Sequence, residues 1–183
     1  GKRLGIRTYD EDIADLAARR SGIRKDYFEK VDEKPTDSFL YMLAMNTFTM
    51  NTSMNPFENT LSSDKLFNKQ AEVIQEIADE NDCIIIGRCA GYILRDEPKC
   101  VKGYISADKD FRTKRIMASD HLDEKEAQKK IHSMDKKRDS YFGYYAGQDW
   151  KACHTYDLAI STSALGIDKA VDLICQYIEL KFK

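Results

Sequence analysis

The sequence has few residues of the kinds that build disulfide frameworks, metal centres or membrane spans. Its five cysteines are odd in number, scattered and never spaced as CxxC, which argues against both a disulfide framework and a zinc site. The three histidines lie among polar residues without metal-ligand spacing, so the sequence predicts no metal centre. No apolar run is long enough to cross a bilayer. We therefore expect a protein of the reducing cytoplasm with no membrane partner.

Neither positive nor negative charge is in large excess. The formal net charge is −2, which gives no reason to expect nucleic acid or an anionic surface as a partner. The GxSxG motif and a Cys–His nucleophile motif are missing too, so the usual residues of acyl transfer are not in place. The chain does have 42% apolar and 33% charged residues over 183 positions, a composition typical of one globular domain.

The uncharged run at residues 83–90 is the most informative stretch of the sequence. It predicts a short strand buried on both faces, as in a parallel sheet covered by helices. Gly87 and Arg88 lie at the carboxyl end of this strand, where sheets of this kind bind their ligands. The planar guanidinium of Arg88 suits a phosphate. The alternative is that Arg88 pairs with a buried carboxylate.

Strands and helices are predicted to alternate along the rest of the chain. Further strands are expected at residues 7–10, 101–106 and 158–161. Helices are expected from Asp10 or Asp12 through Arg20, from Asp64, from Asp108, and at residues 25–31, 38–45, 123–137 and 167–180. Residues 46–63 show no period and are predicted to form a surface loop. The alternation implies right-handed crossovers and an α/β fold with a parallel, doubly wound sheet.

Basic side chains recur where such a sheet would place its ligand. Arg112 and Arg115 stand three residues apart on one predicted helix face, so they can converge on one anion. Arg138 lies in a basic group near the end of the polar helix at residues 123–137. Phosphoryl transfer needs such an arrangement, because positioned cations must hold the charge of the transferring group. The alternative is an ordinary solvated helix face.

The polar helix and the aromatic stretch that follows it are predicted to form a protruding insert at residues 118–150. Gly143 interrupts the aromatic residues 141–145, which suggests that the helix has ended before them. These aromatic rings are expected to pack the insert rather than to stack on nucleotide bases.

Four segments, in this order, resemble the cytidylate-kinase-like family of P-loop nucleotide kinases. They are residues 86–94 (IGRCAGYIL), 104–115 (YISADKDFRTKR), 134–139 (MDKKRD) with 144–147 (YYAG), and 156–166 (YDLAISTSALG). The resemblance implies one nucleotide-kinase domain over residues 1–183, with a five-stranded parallel sheet and a lid at about 118–150. It also implies ATP and Mg2+ as cofactors and nucleotides as small-molecule partners.

The same resemblance implies roles for individual residues. Arg88 would hold the phosphate of the acceptor, with Asp10 also on the acceptor side. Arg112 and Arg115 would hold phosphates at the hinge of the lid, and Arg138 with Asp139 would form the contact of the lid with donor or acceptor. Ser163 and Leu165 would belong to the segment that borders the adenine of ATP.

The chain also departs from the family pattern. A nucleotide kinase needs a glycine-rich loop whose backbone amides hold the donor phosphates, and Gly1-Lys2-Arg3 matches such a loop poorly, because Arg3 stands where a hydroxyl should be. We therefore expect the first strand and the phosphate loop to lie upstream of Gly1. Cys89, where the family has aspartate, suggests an acceptor other than CMP. A nucleotide sensor without turnover and a scaffold protein remain as alternatives.

Overall fold

A computed structural model describes residues 1–10, 12–21 and 56–182. The chain has an α/β fold and divides into two compact units. The first unit contains Gly1–Ile93 and Tyr144–Ala146, and the second contains Leu94–Gly143 and Gly147–Lys183. The helices predicted at 25–31 and 38–45, and the part of the predicted loop at 46–55, lie outside the described residues.

The first unit is built on a pair of parallel strands. β1 (Arg7–Tyr9) pairs with β2 (Cys83–Ile85), and Tyr9 lies opposite Ile85. Two helices, α1 (Asp12–Ser21) and α2 (Pro56–Glu80), pack against each other, and the short α3 (Ala90–Ile93) follows β2. Apolar residues at helical spacing form the core of this unit, as predicted for both helices. Those buried are Ile13, Ala14, Ala17, Leu66, Val73, Ile74 and Ile77.

Helix α2 begins eight residues earlier than the sequence predicted. The loop predicted at 46–63 is therefore wrong over residues 56–63, because the helix begins at Pro56 rather than at Asp64. Proline is favoured at the first helical position, where its fixed φ fits and its missing N–H has no helical partner to lose. The polar residues after Pro56 hid the helix from a search based on apolar periodicity.

The strands are less buried than predicted. β2 ends at Ile85, its residues are half-buried, and Ile86 is 47% exposed. In the second unit, Ile105 is 52% exposed. The prediction of strands buried on both faces is therefore wrong for the described part of the chain. Each of these strands has one hydrogen-bonded neighbour among the described residues, which leaves its other edge uncovered there.

The second unit also contains one parallel strand pair. β3 (Gly103–Ser106) pairs with β4 (Leu158–Ser161), and Ser106 lies opposite Ser161. Parallel pairing is thus confirmed in both units, but the described strands form two two-stranded sheets rather than one doubly wound sheet. The helices are α4 (Lys109–Asp120), α5 (Glu124–Ala146), α6 (Thr162–Leu165) and α7 (Ile167–Phe182), and a 3-10 turn spans Cys153–Thr155.

The ends of helices α4 and α5 show why they start where the sequence predicted. Asp108 caps α4 by accepting a hydrogen bond from the Phe111 amide. Asp123 and Glu126 form the predicted capping box at the start of α5. The end of α5 differs from the prediction, because the helix continues through Gly143 and ends at Gly147 with a left-handed φ of 64°. The aromatic stretch is therefore helical rather than broken.

Candidate functional site

The turn after β2 has an unusual backbone. Gly87, Arg88 and Cys89 are consecutive and have φ values of 73°, 55° and 55°. Left-handed backbone costs a residue with a side chain about 1–2 kcal/mol, because its Cβ crowds the following carbonyl oxygen. Strain of this kind is concentrated at functional sites, where the surrounding fold enforces it. Apart from Gly87, nothing in the sequence indicated this turn.

Arg88 is held inside this turn and is 6% exposed. Its Nε atom is buried and makes no hydrogen bond within the described residues, although the side chain has other interactions there. Asp10 follows the neighbouring strand β1 and is exposed. The amide of Ile86 donates to the carbonyl of Tyr9 at 2.9 Å, so the two strands end side by side. Asp10 and Arg88 thus follow the carboxyl ends of two adjacent parallel strands.

In the second unit, Arg112 and Asp135 form a two-pronged ion pair between α4 and α5. Arg112 Nη1 donates to Asp135 Oδ2 at 2.7 Å, and Nη2 donates to Oδ1 at 2.6 Å. Such fork-to-carboxylate pairs are among the stronger polar contacts in proteins. The hydrogen bond to Asp135 raises the pKa of Arg112 above its ordinary value. The Arg112 side chain is 34% exposed and that of Asp135 is 21% exposed, so solvent reaches both.

The other predicted site residues of this unit differ in whether they form an ion pair. Arg138 Nη1 lies 3.9 Å from Asp135 Oδ1, one helical turn along α5, so Arg112 and Arg138 converge on one carboxylate. Arg115 and Asp139 are exposed and take part in no ion pair within the described ranges. Arg115 is thus not a partner of Asp135, and its convergence with Arg112 on a phosphate stays a prediction.

Aromatic side chains lie beside the Arg112–Asp135 pair. Tyr104 on β3 packs edge-on against Trp150, with ring centroids 5.7 Å apart, and against Tyr156 at 5.1 Å. Burial raises the pKa of the Tyr104 hydroxyl, and the charge of Asp135 raises it further. The ion pair therefore has a half-buried aromatic neighbour.

The carboxyl ends of β3 and β4 are fastened together by hydroxyl groups. Ser163 Oγ accepts a hydrogen bond from the Asp108 amide at 2.9 Å, and Thr162 Oγ1 donates to the Ser106 carbonyl at 3.0 Å. The Ser163 hydroxyl is thus hydrogen-bonded to the residue that caps α4. Leu165 is 42% exposed at the end of α6. Their contact with a nucleotide stays a prediction.

Asp135 is the residue that the sequence did not single out. Its spacing of three from Arg138 is visible in the sequence, but its stronger partner, Arg112, precedes it by 23 residues. Only the pairing of α4 with α5 brings these two together.

Within the described ranges, no group of three metal-ligating side chains occurs. In the same part of the chain, no helix combines the length and the apolar character that a membrane span requires.

Comparison with known proteins gives one family and a solved structure of similar fold. No curated protein sequence matches the chain significantly. Three solved chains match, among them the crystal structure of an uncharacterized protein from Eubacterium ventriosum, which is 28% identical, with a TM-score of 0.68. That match covers 97% of this chain and 86% of the other. The model of the cytidylate kinase-like family matches residues 1–164, which are most of the sequence. The chain therefore belongs to that family, as the order of its motifs predicted.

Proposed function

We propose that the protein is an ATP-dependent P-loop kinase that phosphorylates a nucleoside monophosphate or a related small acceptor. Family membership indicates a nucleotide kinase-like function. One observation carries the finer proposal, namely that Arg112 and Arg138, from two helices, meet at the carboxylate of Asp135. Phosphoryl transfer depends on positioned guanidinium groups of this kind, because the protein has little covalent chemistry to perform.

Each predicted residue has a role in this proposal. Arg112, Arg115 and Arg138 bind phosphate oxygens of donor and acceptor and stabilise the charge that develops during transfer. Arg88 binds the phosphate of the acceptor, since it is a buried guanidinium at the carboxyl end of a parallel strand. Asp10 and Asp139 are exposed carboxylates that bind the acceptor from the strand edge and from the lid.

On the donor side of the proposed site, one group of residues is assigned to the phosphates of ATP and another to its adenine. The fork of Arg112 has the geometry to donate hydrogen bonds to two phosphate oxygens. Ser163 and Leu165 lie after β4, at the sheet edge where the adenine is expected. Mg2+, when bound, neutralises charge on the phosphates. The described residues contain no cluster of three side chains suited to a metal, so we assign no Mg2+ ligand and derive no step through the metal.

The described residues contain two parallel strand pairs, β1–β2 and β3–β4, and parallel pairing of this kind supports the proposed P-loop kinase fold. We assign the lid to the insert at about 118–150, most of which is helix α5. The lid would exclude water during transfer, which protects the phosphoryl group from hydrolysis. We place the protein in the cytoplasm, where its nucleotide substrates are found.

The test is ADP release by the full natural protein with ATP and Mg2+, measured across a panel of nucleoside monophosphates. The proposal predicts release that depends on at least one acceptor and rises with its concentration. Release without an acceptor would indicate an ATPase. No release above background with any acceptor would contradict the kinase and favour a nucleotide sensor with the same fold.

A further inference from the structure

The guanidinium fork that the proposed function assigns to phosphate already carries an anion of the protein. Both terminal nitrogens of Arg112 donate to the two oxygens of Asp135, at 2.7 and 2.6 Å. A carboxylate held in this way occupies the same two donors that a phosphate would use. Phosphate binding to this edge of Arg112 therefore requires that Asp135 leave it.

Resting on the proposed function, we infer that Asp135 is an internal competitor at this site, a carboxylate that an incoming phosphate must displace from Arg112 before it can bind there. The inference gives Asp135 no contact with the reacting atoms. Its effect is to weaken, by the same factor, the binding of every anion that uses this fork.

Charge makes the exchange favourable for phosphate. Asp135 carries one negative charge, so its exchange for another monoanion brings no Coulombic gain at the same distance. A phosphate dianion brings twice the charge to the same fork, so it replaces the carboxylate with a Coulombic gain. Both partners are open to solvent in part, so an anion can reach them.

The displaced carboxylate also has a place to go. Arg138 lies one turn along α5, with its Nη1 atom 3.9 Å from Asp135 Oδ1. A change of side-chain rotamer can move Asp135 toward Arg138 without moving the helix. The exchange then transfers Asp135 from one cation to another and leaves no buried charge unpaired, which would be costly.

A purely structural role makes a different prediction, and the chain offers a matched control for it. Asp120, at the end of α4, binds Lys130 of α5 at 2.5 Å, so it joins the same two helices through one ion pair. If the Arg112–Asp135 pair only clamps α4 to α5, removing either carboxylate changes stability and leaves anion binding alone. If Asp135 competes, its removal alone changes anion binding.

The experiment is isothermal titration calorimetry of the full natural protein with inorganic phosphate at mildly alkaline pH and, separately, with hypophosphite, a tetrahedral monoanion. We expect Asp135→Asn to bind phosphate about tenfold more tightly than the wild type, on the scale of one lost charge-assisted hydrogen bond. Hypophosphite gains by no larger a factor, because both anions use the two donors that the lost carboxylate had occupied. Asp120→Asn stays near the wild type, and Asp135→Glu, which retains a carboxylate, restores the weaker affinity.

Several outcomes overturn the inference. They are an unchanged or weaker affinity of Asp135→Asn for phosphate, an equal gain in Asp120→Asn, and the absence of any gain for hypophosphite. Asp135→Ser gives the same comparison if the asparagine variant does not fold. Loss of the folded state in both variants also overturns it, since a displaceable partner cannot be required for folding. Because no turnover is measured, a protein that passes this test and releases no ADP would contradict the proposed kinase alone.

Discussion

The rings of Phe67 and Tyr145 stack face to face, with centroids 3.9 Å apart and planes 4° from parallel. Phe67 lies on α2, and Tyr145 lies in the last turn of α5. Of α5, only Tyr144–Ala146 belong to the first unit. Burial raises the pKa of the Tyr145 hydroxyl, and the negative charge of Asp64 adds to that effect. Cys89, the neighbour of Arg88, is also close enough to influence it. The aromatic stretch is therefore used for packing near the strained turn.

The stacked pair should contribute to stability through contact between the two rings. We expect a double-mutant cycle of Phe67→Leu and Tyr145→Leu to give a coupling free energy of about 0.5–1.5 kcal/mol, because aromatic pairs contribute that much beyond the area they bury. Urea unfolding of the four proteins measures it. Additive losses in the double variant would show that the rings do not stabilise each other.

Two glycines near the end of α5 should respond in opposite directions to alanine. Gly143 lies inside the helix, and an added Cβ would meet its nearest neighbour, the Gln148 carbonyl oxygen, at an ordinary 3.9 Å. Gly143→Ala should therefore stabilise the protein by about 0.5–1 kcal/mol. Gly147 ends the helix with a φ of 64°, so Gly147→Ala should destabilise it by about 1–2 kcal/mol.

Thermal or urea unfolding of these two variants measures the difference. The pair serves as its own control, since both changes add one methyl group within four residues of each other. A loss of stability in Gly143→Ala as large as that in Gly147→Ala would mean that α5 ends before Gly143, as the sequence alone suggested.

Asp108 should contribute to the loss of stability of the protein at low pH. The amide of Phe111 and the hydroxyl of Ser163 hold the pKa of Asp108 below its ordinary value. A lowered pKa in the folded state stabilises the protein above the unfolded pKa, and that contribution is lost as the pH falls through the folded pKa. We expect Asp108→Asn, which keeps a capping oxygen and does not titrate, to lose less stability below about pH 4 than the wild type.

Urea midpoints as a function of pH measure this effect. Asp110→Asn is the matched control, because it removes the same charge from the same helical turn without removing the cap. Parallel acid limbs for wild type and Asp108→Asn would contradict the assignment of this pH dependence to the cap.

Arg88, which is buried, should be more important for catalysis than an exposed cation. We expect Arg88→Ala to raise the KM for the acceptor and to lower kcat by more than Lys2→Ala does, because Arg88 is buried at the carboxyl edge of β2 and Lys2 is exposed. Steady-state kinetics of both variants, with circular dichroism to confirm folding, measure the difference. Equal effects would mean that the acceptor phosphate is bound elsewhere.

The parts of the fold that depend on local chemistry were predictable from the sequence. Asp108 and the pair Asp123 and Glu126 marked the starts of two helices, because a capping side chain acts on amides two or three residues away. The strands at 103–106 and 158–161 were visible as short, largely apolar runs before helical segments, and the strand at 7–9 was visible as a short extended segment before a capped helix. Motif order was enough to predict the family.

The parts that depend on distant contacts were not predictable. Arg112 was singled out as a cation, but its partner Asp135 lies on another helix, so no local spacing joins them. The left-handed backbone at Arg88 and Cys89 is imposed by the surrounding fold, because both residues disfavour it on their own. Gly143 was misjudged because helix context outweighs the small intrinsic cost of one glycine.

Phosphorus NMR of the full natural protein with ATP, Mg2+ and a nucleoside monophosphate tests the kinase most directly, because it follows the transferred phosphoryl group itself. The account predicts that the γ-phosphate signal of ATP is lost as a new terminal phosphate of a nucleoside diphosphate, made from the acceptor, appears. It also predicts that Arg112→Ala slows this conversion. Inorganic phosphate as the sole new product, or an unchanged spectrum with every acceptor, would contradict it.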